Sequence, residues 1–326
     1  MIEVSAHIEE WKTIIPFKIA GLCREVFRFV VVEISDGYQR GSAEGLPVHY
    51  LGETAELLVE QLCRIAGDIK SGLDRAHLRS AMPAGGARNA IDNALWDLDA
   101  KRAGKRVWEF LDIQPKPVTS AFTIGIERDV ATMARRAREA AEYGLLKIKV
   151  DADCPAERVA AIREARPDAR LIVDANQAWD FQTLRAQAPR LADLGVELIE
   201  QPLARGADEA LEIYNSPIPL CADESCQHTG ELAQAAERYQ IINIKLDKAG
   251  GMTEALDLVR GVRAAGLKVL LSNMGGTSLA MAPAFVVAQL CDYVELDGPL
   301  LLRQDRNSSM ICGGGVMGVP AANLWG

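Results

Sequence analysis

The sequence predicts an α/β fold in which a closed barrel of eight parallel strands follows a smaller α+β unit. From about Val118, short apolar strands alternate with helical stretches at a spacing typical of βα units. Eight such units favour closure into a barrel over a doubly wound open sheet. Before that point the chain has a different pattern, in which strands come first and helices follow.

The first part of the chain, residues 1–117, is predicted to form the α+β unit. Val26–Ile34 is rich in β-branched and aromatic residues, and we expect Met1–Thr13 to pair with it across a loop, Pro16–Glu25. Residues 53–70 have apolar positions at helical spacing. A second helix is predicted from apolar residues that recur on one helical face, namely Ala87, Ala90, Ile91, Ala94, Leu95 and Leu98.

Residues 118–298 are predicted to form the barrel, and residues 299–326 to fold back on the N-terminal unit. Helical stretches such as Asp129–Glu142 separate the strands, and Gly313–Gly315 is interpreted as a turn because it lacks the ending of a phosphate-binding loop. The predicted strands are Ser120–Ile124, Leu146–Asp151, Leu171–Asn176, Glu197–Gln201, Leu220–Glu224, Ile242–Asp247, Val269–Asn273 and Tyr293–Asp297.

Composition and charge argue against several classes of protein. A net charge of −9 disfavours nucleic acid and anionic membranes as partners, and no apolar run reaches the roughly 18 residues that a membrane helix needs. The N-terminal residues lack the apolar core of a secretory signal. Seven cysteines without a CxxC pair indicate buried thiols in a reducing compartment. We therefore expect a cytoplasmic protein, and a homo-oligomer whose subunit number the sequence does not specify.

Acidic residues close three successive predicted strands, at the end where a βα barrel carries its active site. Asp174, Glu200 and Asp223 would repel one another there without a cation. Carboxylate oxygens are the ligands of hard cations, so we predict a site for Mg²⁺, with Mn²⁺ possible. The alternative is that Asp174 and Asp223 only cap the helices that follow them.

Three lysines accompany these acids. Lys147 and Lys149 lie two apart on one strand and so share its inner face, and Lys245 ends a strand that stands opposite in an eight-stranded ring. A lysine crowded by burial and by cations has a lowered pKa and can act as a base. We predict that Lys149 and Lys245 move a proton off and onto a carbon next to a carboxylate, while Lys147 and the metal stabilise the enediolate. The alternative is simple ion pairing.

Taken together, the K-x-K pair, the three metal-ligand positions and the later lysine resemble the enolase superfamily over nearly the whole chain. The resemblance implies a modified (β/α)₇β barrel with an α+β capping domain. It also implies the muconate-lactonizing subgroup, because the mandelate racemase subgroup uses a His-Asp pair and no histidine lies on predicted strands six or seven. The histidines are interpreted as structural or surface residues: His7, His49, His77 and His228.

Within that subgroup the sequence is similar to the dipeptide epimerases, which are typified by those acting on L-Ala-D/L-Glu. The resemblance rests on Glu295-Leu-Asp297 at the end of the last strand and implies that this pair holds the free ammonium of a dipeptide. It further implies that Arg24 holds a side-chain carboxylate, with Lys18 and Arg28 as rivals. The acid pair has an alternative role in binding a barrel lysine or capping the next turn.

The resemblance places substrate specificity in capping loops, here about Pro16–Glu25 and Leu46–Glu53. Thr123 is a further candidate for substrate binding, and Gly275–Ser278 either lines the pocket or only begins a helix. Three other reactions on the same scaffold remain as alternatives, namely cycloisomerisation, dehydration to o-succinylbenzoate and racemisation of N-acylamino acids. A non-catalytic binding protein is a further alternative, although such a protein would be expected to have lost a ligand or a lysine.

Overall fold

The computed structural model of the chain describes residues 2–326, so Met1, the first residue of a predicted strand, lies outside the described residues. A long antiparallel hairpin opens the chain, formed by β1 (Glu3–Ile19) and β2 (Leu22–Ser35). It turns tightly at Ala20-Gly21, where Gly21 has a left-handed φ of 73°. The prediction of a connecting loop over Pro16–Glu25 is therefore wrong, because most of that segment is paired strand.

A bulge in β1 interrupts this hairpin. Lys12 pairs with Val26 and Phe17 pairs with Arg24, so residues 13–16 of β1 face a single residue of β2. Pro16 lies inside the bulge, where it does not have to donate a hydrogen bond to the partner strand. Proline is therefore compatible with this strand. Beyond the bulge, the tip of the hairpin reaches the mouth of the barrel described below.

A third strand, β3 (Arg40–Gly45), was not predicted and pairs with β2. Three helices cover the resulting sheet. One of them, α3 (Gly86–Ala103), crosses β3 so closely that a Cβ on Gly41 would lie 2.0 Å from the carbonyl oxygen of Ala94, which explains the glycine. The helices are α1 (Ala55–Lys70) and α3 (Gly86–Ala103), which were predicted, and α2 (Arg75–Ala81), which was not.

The second part of the chain forms one sheet of eight parallel strands in sequence order. The sheet is bridged where its ends meet, because the backbone nitrogen of Ala121 donates a hydrogen bond of 2.8 Å to the carbonyl oxygen of Val294. A short strand, β4 (Val118–Thr119), precedes it. The barrel strands are β5 (Phe122–Ile124), β6 (Leu145–Lys149), β7 (Arg170–Asp174), β8 (Val196–Glu200), β9 (Leu220–Ala222), β10 (Ile241–Lys245), β11 (Lys268–Ser272) and β12 (Tyr293–Val294).

Seven connections join these strands, and a 3₁₀ turn, Gly298–Leu301, follows β12. The connection between β8 and β9 contains only another 3₁₀ turn, Glu209–Ile213. The other six connections contain an α-helix, and with the eight parallel strands they confirm the predicted barrel of the (β/α)₇β type. The remaining helices are α4 (Val130–Glu139), α5 (Pro155–Ala165), α6 (Phe181–Asp193), α7 (Leu232–Arg238), α8 (Leu246–Ala249), α9 (Met252–Ala264) and α10 (Ser278–Ala288).

The C-terminal tail packs on both parts of the chain. It forms a hairpin of β13 (Cys312–Gly313) and β14 (Val316–Met317), which turns at two of the three glycines predicted to form a turn, and β14 pairs with β4. Towards the N-terminal hairpin, Arg306 forms ion pairs with Glu9 and Glu44. The exact domain boundaries, near residues 117 and 298, stay a prediction.

The cysteines are all free thiols in the described structure. Cys221 and Cys226 are buried, but Cys23, Cys63 and Cys154 are exposed, so the expectation of buried thiols is wrong for these three. Among residues 2–326, no helix combines the length and the apolar character needed to cross a bilayer.

Candidate functional site

The interior of the barrel is layered. One apolar layer takes a residue from each of seven strands or their edges, namely Ala121, Leu145, Ile172, Leu198, Cys221, Ile241 and Leu270. Because side chains alternate along a strand, residues two and four positions later point to the same interior. The residues at those later positions are buried and mostly charged, namely Thr123, Lys147, Lys149, Asp174, Glu200, Asp223, Asn243, Lys245 and Ser272.

Lys147 lies at the centre of this charged layer. Its Nζ is 2.7 Å from Glu295 Oε2, 2.9 Å from Glu200 Oε2 and 3.2 Å from Asp174 Oδ2. Burial opposes the charge of Lys147, but the neighbouring carboxylates raise its pKa well above the ordinary value. The side chain is therefore held as an ammonium between three acids.

Lys149 and Lys245 each bind one aspartate. Lys149 Nζ lies 2.6 Å from Asp174 Oδ2, and Lys245 Nζ lies 2.6 Å from Asp223 Oδ2. Strands β6 and β10 are separated by three strands in either direction around the ring. The two lysines therefore enter the interior from opposite sides, which is the arrangement that the sequence predicts.

Both aspartates are held as anions. Burial alone would raise the pKa of Asp174, but Lys149 and Lys147 hold it well below its usual range. The pKa of Asp223 is likewise lowered against the effect of burial, by Lys245 and by Lys248, whose Nζ lies 2.7 Å from Asp223 Oδ1. Asp174 and Asp223 thus face inward instead of capping the helices that follow.

Glu200 is in a different state. Burial and the charge of Asp174 raise its pKa to about 7, although Lys147 acts against them. Its Oε1 accepts a hydrogen bond from Asn243 Nδ2 at 2.7 Å. Its Oε2 has no hydrogen-bond partner, since Lys147 lies close to it without hydrogen-bond geometry. This carboxylate is repelled by its acidic neighbours, and the nearby ammonium of Lys147 offsets that repulsion only in part.

In composition these residues fit a hard cation. All three acids offer oxygen donors, which Mg²⁺ prefers, and Glu200 Oε2 and Asn176 Oδ1 are buried acceptors without a partner. Within residues 2–326, however, no three acidic, histidine or cysteine side chains are arranged around a common point. The reason is that each of the three carboxylates contacts a lysine ammonium instead.

The pKa of Lys245 differs from the expectation. Burial lowers it, as predicted, but the charges of Asp223 and Glu200 outweigh burial and raise the pKa above its ordinary value. Lys147 also lowers the pKa of Lys245, but the carboxylates outweigh it in this arrangement. The expected lowering assumed a bound cation beside the lysine and stays a prediction.

The predicted acid pair lies at the end of β12. Glu295 accepts a hydrogen bond of 2.5 Å from the hydroxyl of Thr123, and Asp297 accepts one of 2.8 Å from the backbone nitrogen of Thr123. Burial and the nearby charge of Glu295 raise the pKa of Asp297 to about 6. Glu295 also meets Lys147, so the alternative role of binding a barrel lysine is realised for this residue.

A cavity of about 130 Å³ lies above these groups, between the barrel mouth and the N-terminal hairpin. The barrel side includes the two opposed lysines and the acid pair, and both predicted capping segments contribute to the other side. The predicted site residues that line it are Arg24, Thr123, Lys149, Lys245, Glu295 and Asp297.

Of the three candidate residues for binding a side-chain carboxylate, Arg24 lines this cavity. Its guanidinium lies over the ring of Phe27, 5.5 Å from the centroid, and burial lowers its pKa. Lys18 lines a neighbouring groove instead. Arg28 is exposed and pairs with Glu10 and Glu56.

Other predicted residues divide between the cavity and the scaffold. Gly275 lines the cavity, whereas Thr277 caps α10 and donates its hydroxyl to Glu44 at 2.6 Å. The interpretation of His49 as a structural or surface residue is incomplete, because this exposed ring also borders the cavity.

Several polar residues at the site were not predicted. Gln201 follows Glu200 with a left-handed φ of 35°, and its Oε1 accepts hydrogen bonds from the backbone nitrogens of Asp223 and Ser225 at 2.9 and 3.0 Å. Burial and Asp223 raise the pKa of Glu224 to about 8. The available signal was a polar residue directly after a strand-ending acid.

Two family descriptions match the chain. Residues 1–112 match the N-terminal domain of the mandelate racemase and muconate lactonizing enzymes, and residues 129–320 match the enolase C-terminal domain-like family. The chain is 41% identical to the L-Ala-D/L-Glu epimerase of Escherichia coli K12 over 94% of this chain and 96% of that one. It is 39% identical to the N-acetyl-D-glutamate racemase of a Pseudoalteromonas species, over 91% and 95%.

Solved structures agree with this assignment. An enolase-family protein of Agrobacterium tumefaciens with homology to dipeptide epimerases, containing sodium and L-Ala-L-Glu, superposes with a TM-score of 0.97 at 39% identity over 100% of both chains. The dipeptide epimerase of Enterococcus faecalis, complexed with Mg and L-Leu-L-Tyr, gives 0.89 at 28% identity over 99% of this chain and 98% of that one. The predicted resemblance is confirmed, and the chain belongs to the enolase superfamily.

Proposed function

We propose that this protein is an isomerase that inverts the α-carbon of a dipeptide by moving a proton between Lys149 and Lys245. The observation that carries this proposal is the position of these lysines, which come from opposite strands, border one cavity and each contact a single carboxylate. A base on each face of a carbon can remove a proton from one side and return one to the other. That exchange inverts the carbon.

The chain's own residues account for most of the reaction. One of the two lysines, as the free amine, takes the proton next to the substrate carboxylate, and the other, as the ammonium, delivers a proton to the opposite face. Lys147, held as an ammonium, stabilises the negative charge of the enediolate between these steps. The N-terminal hairpin lies over the cavity and would limit the access of water that competes for the proton.

We further propose Asp174, Glu200 and Asp223 as ligands of Mg²⁺, with Mn²⁺ as a possible substitute. Support comes from their oxygen-only donors, from their mutual repulsion and from the magnesium in the Enterococcus faecalis relative. When bound, magnesium would supply positive charge that stabilises the enediolate and offsets the carboxylates that raise the pKa of Lys245.

The substrate is proposed to be L-Ala-D/L-Glu or a similar acidic dipeptide. Asp297 and Glu295 would bind the free ammonium, since both acids are buried and border the cavity. Arg24 would bind the side-chain carboxylate, because it borders the same cavity and forms no ion pair with any described residue. Thr123 would hold the acid pair in place through its two hydrogen bonds.

The test is exchange of the α-proton in D₂O with Mg²⁺, followed by NMR for L-Ala-L-Glu and L-Ala-D-Glu. We expect deuterium to enter the Glu α-carbon from either stereoisomer and the two to interconvert. Absence of exchange across a dipeptide library, or exchange of both stereoisomers that is unaffected by Lys149→Ala, would contradict the proposal.

A second candidate is racemisation of an N-acylamino acid, which the similarity to the N-acetyl-D-glutamate racemase favours. Its substrate has no free ammonium, so the acid pair separates the two functions. Replacing Asp297 by Asn should lower kcat/KM for the dipeptide by about 30-fold, which corresponds to loss of a charged hydrogen bond of about 2 kcal/mol. Turnover of the dipeptide unchanged by Asp297→Asn, together with turnover of N-acetylglutamate, would favour the second candidate.

We also propose that the protein acts in the cytoplasm as a homo-oligomer, without nucleic acid or membrane as a partner. The acidic charge supports the absence of nucleic acid and membrane partners. The free cysteines support a cytoplasmic location. Light scattering of the purified protein would measure its oligomeric state.

A further inference from the structure

Two lysines, one at the end of β10 and one just after it, bind the same carboxylate. Lys245 Nζ lies 2.6 Å from Asp223 Oδ2, and Lys248 Nζ lies 2.7 Å from Asp223 Oδ1. Each oxygen of Asp223 therefore has its own ammonium. In sequence the two lysines are one helical turn apart, but their surroundings assign them different tasks.

Lys245 borders the cavity, whereas Lys248 is sealed behind it. The side chain of Lys248 is 0% exposed, and besides Asp223 Oδ1 its Nζ donates to the carbonyl oxygens of Asp223 and Cys226 at 2.5 and 3.0 Å. An ammonium has three protons and no acceptor, so all of its hydrogen-bonding capacity is used by this turn. Lys248 has no proton directed at the cavity.

The N-terminal unit fixes the turn that carries Lys248. The guanidinium of Arg88, on α3, donates to the carbonyl oxygens of Ala249 and Gly250 at 2.6 and 3.0 Å. Gly250 ends α8 with a left-handed φ of 82°, and a Cβ there would lie 2.3 Å from Arg88 Nε. The backbone of α8 is thus packed directly against α3, which fixes the position of the Lys248 backbone.

We propose that Lys248 is a positioning residue that holds Asp223 in its working orientation and takes no part in proton transfer. By binding Oδ1 and the backbone of residues 223–226, it leaves Oδ2 directed at the site when Lys245 moves towards substrate. This inference rests on the proposed function, in which Lys245 must leave Asp223 to reach the substrate carbon.

The test compares Lys248→Met with Lys248→Arg. Lys248→Met keeps the length of the side chain and removes its charge. We expect the affinity for Mg²⁺, measured by calorimetry without substrate, to fall about 10- to 100-fold, as is usual when a residue that orients a metal ligand is lost. Lys248→Arg, which keeps the charge and several donors, should recover most of that affinity.

Proton exchange separates positioning from proton transfer. Lys248→Met should slow exchange in D₂O by the same factor for L-Ala-L-Glu and L-Ala-D-Glu, whereas Lys245→Met should abolish it for only one of them. Loss confined to one stereoisomer in Lys248→Met would overturn the inference, and so would an unchanged Mg²⁺ affinity in that variant.

Two further outcomes are also decisive. If Lys248→Met does not fold, Lys248→Gln replaces it under the same criteria, because Gln keeps two donors without the charge. If the wild-type protein exchanges no dipeptide, the proposed function fails while the calorimetric comparison still decides the role of Lys248. Absence of Mg²⁺ binding by the wild-type protein would overturn this inference directly.

Discussion

The two sides of the barrel mouth are built in the same way. On β6, Lys147 is 1% exposed and contacts three carboxylates, whereas Lys149 is 6% exposed and contacts one. After β10, Lys248 is 0% exposed with three acceptors, whereas Lys245 is 5% exposed and contacts one carboxylate. Each side therefore combines an enclosed lysine with one that borders the cavity.

The number of partners therefore distinguishes two kinds of buried lysine. An ammonium with three acceptors is fixed, because moving it would leave several buried groups unpaired. An ammonium with one acceptor at the edge of a cavity can exchange that partner for a substrate.

The largest effect is expected for the lysines that border the cavity. Lys149→Ala and Lys245→Ala should each lower the rate of epimerisation about 100- to 10,000-fold, the usual range for loss of a general acid or base. Each variant should still exchange the α-proton of one stereoisomer, a different one in each case, as measured by NMR in D₂O. Equal loss for both stereoisomers in both variants would contradict the assignment of one lysine to each face.

The enclosed lysine of β6 should behave differently. Lys147→Met leaves two buried carboxylates, Glu200 and Glu295, without an ammonium, while Asp174 keeps that of Lys149, so we expect the free energy of unfolding in urea to fall by about 3–5 kcal/mol. Exchange should also slow equally for both stereoisomers. Lys149→Met is the matched control on the same strand, and a stability loss as large as that of Lys147→Met would remove the distinction between the two lysines.

Magnesium should stabilise the fold by binding an aspartate on each side of the barrel mouth. If one ion binds Asp174 and Asp223 together, Mg²⁺ at about 100 times its Kd should raise the free energy of unfolding by about 2.7 kcal/mol, and EDTA should reverse the effect. Asp174→Asn and Asp223→Asn should each lose this stabilisation when melting is followed with and without Mg²⁺. A variant that keeps the full Mg²⁺ effect would exclude its aspartate as a ligand.

The smallest effect is expected at the hairpin. Arg24→Leu should lower kcat/KM for L-Ala-L-Glu by about 30-fold, which corresponds to a charged hydrogen bond of about 2 kcal/mol, and should leave L-Ala-L-Ala unaffected. Arg28→Leu removes a similar charge from the exposed side of the same strand and is the control. Equal loss for both dipeptides, or for both variants, would show that Arg24 does not select the side chain.

The sequence predicted the barrel well because its signal is local and repeated. Each strand is a short apolar run with a charged residue at one end, and alternation along the strand places those charges inside. The hairpin was predicted less well. Pro16 indicated a loop, whereas it lies in a bulge that only the pairing of Lys12 with Val26 and Phe17 with Arg24 defines.

The contacts behind the charged layer could not be predicted from sequence. A lysine three residues after a strand end, such as Lys248, resembles a solvated helix residue until α3 is placed over its turn. Arg88 likewise lies between the apolar positions of α3, and the sequence does not indicate that its side chain reaches Gly250. Both positions depend on the docking of two units that are distant in the chain, and sequence periodicity carries no information about docking.

The docking of α3 on the barrel also bears on how substrate enters and product leaves. Arg88, Asn89 and Asp92 are buried there and bond to α8 and α9, so separating the two units would break several buried hydrogen bonds at about 1–3 kcal/mol for each group left unpaired. Within residues 2–326, no hydrogen bond joins the tip of the hairpin at Ala20-Gly21 to the barrel. We therefore expect movement of this tip to control substrate entry and product release, while the two units stay together throughout turnover.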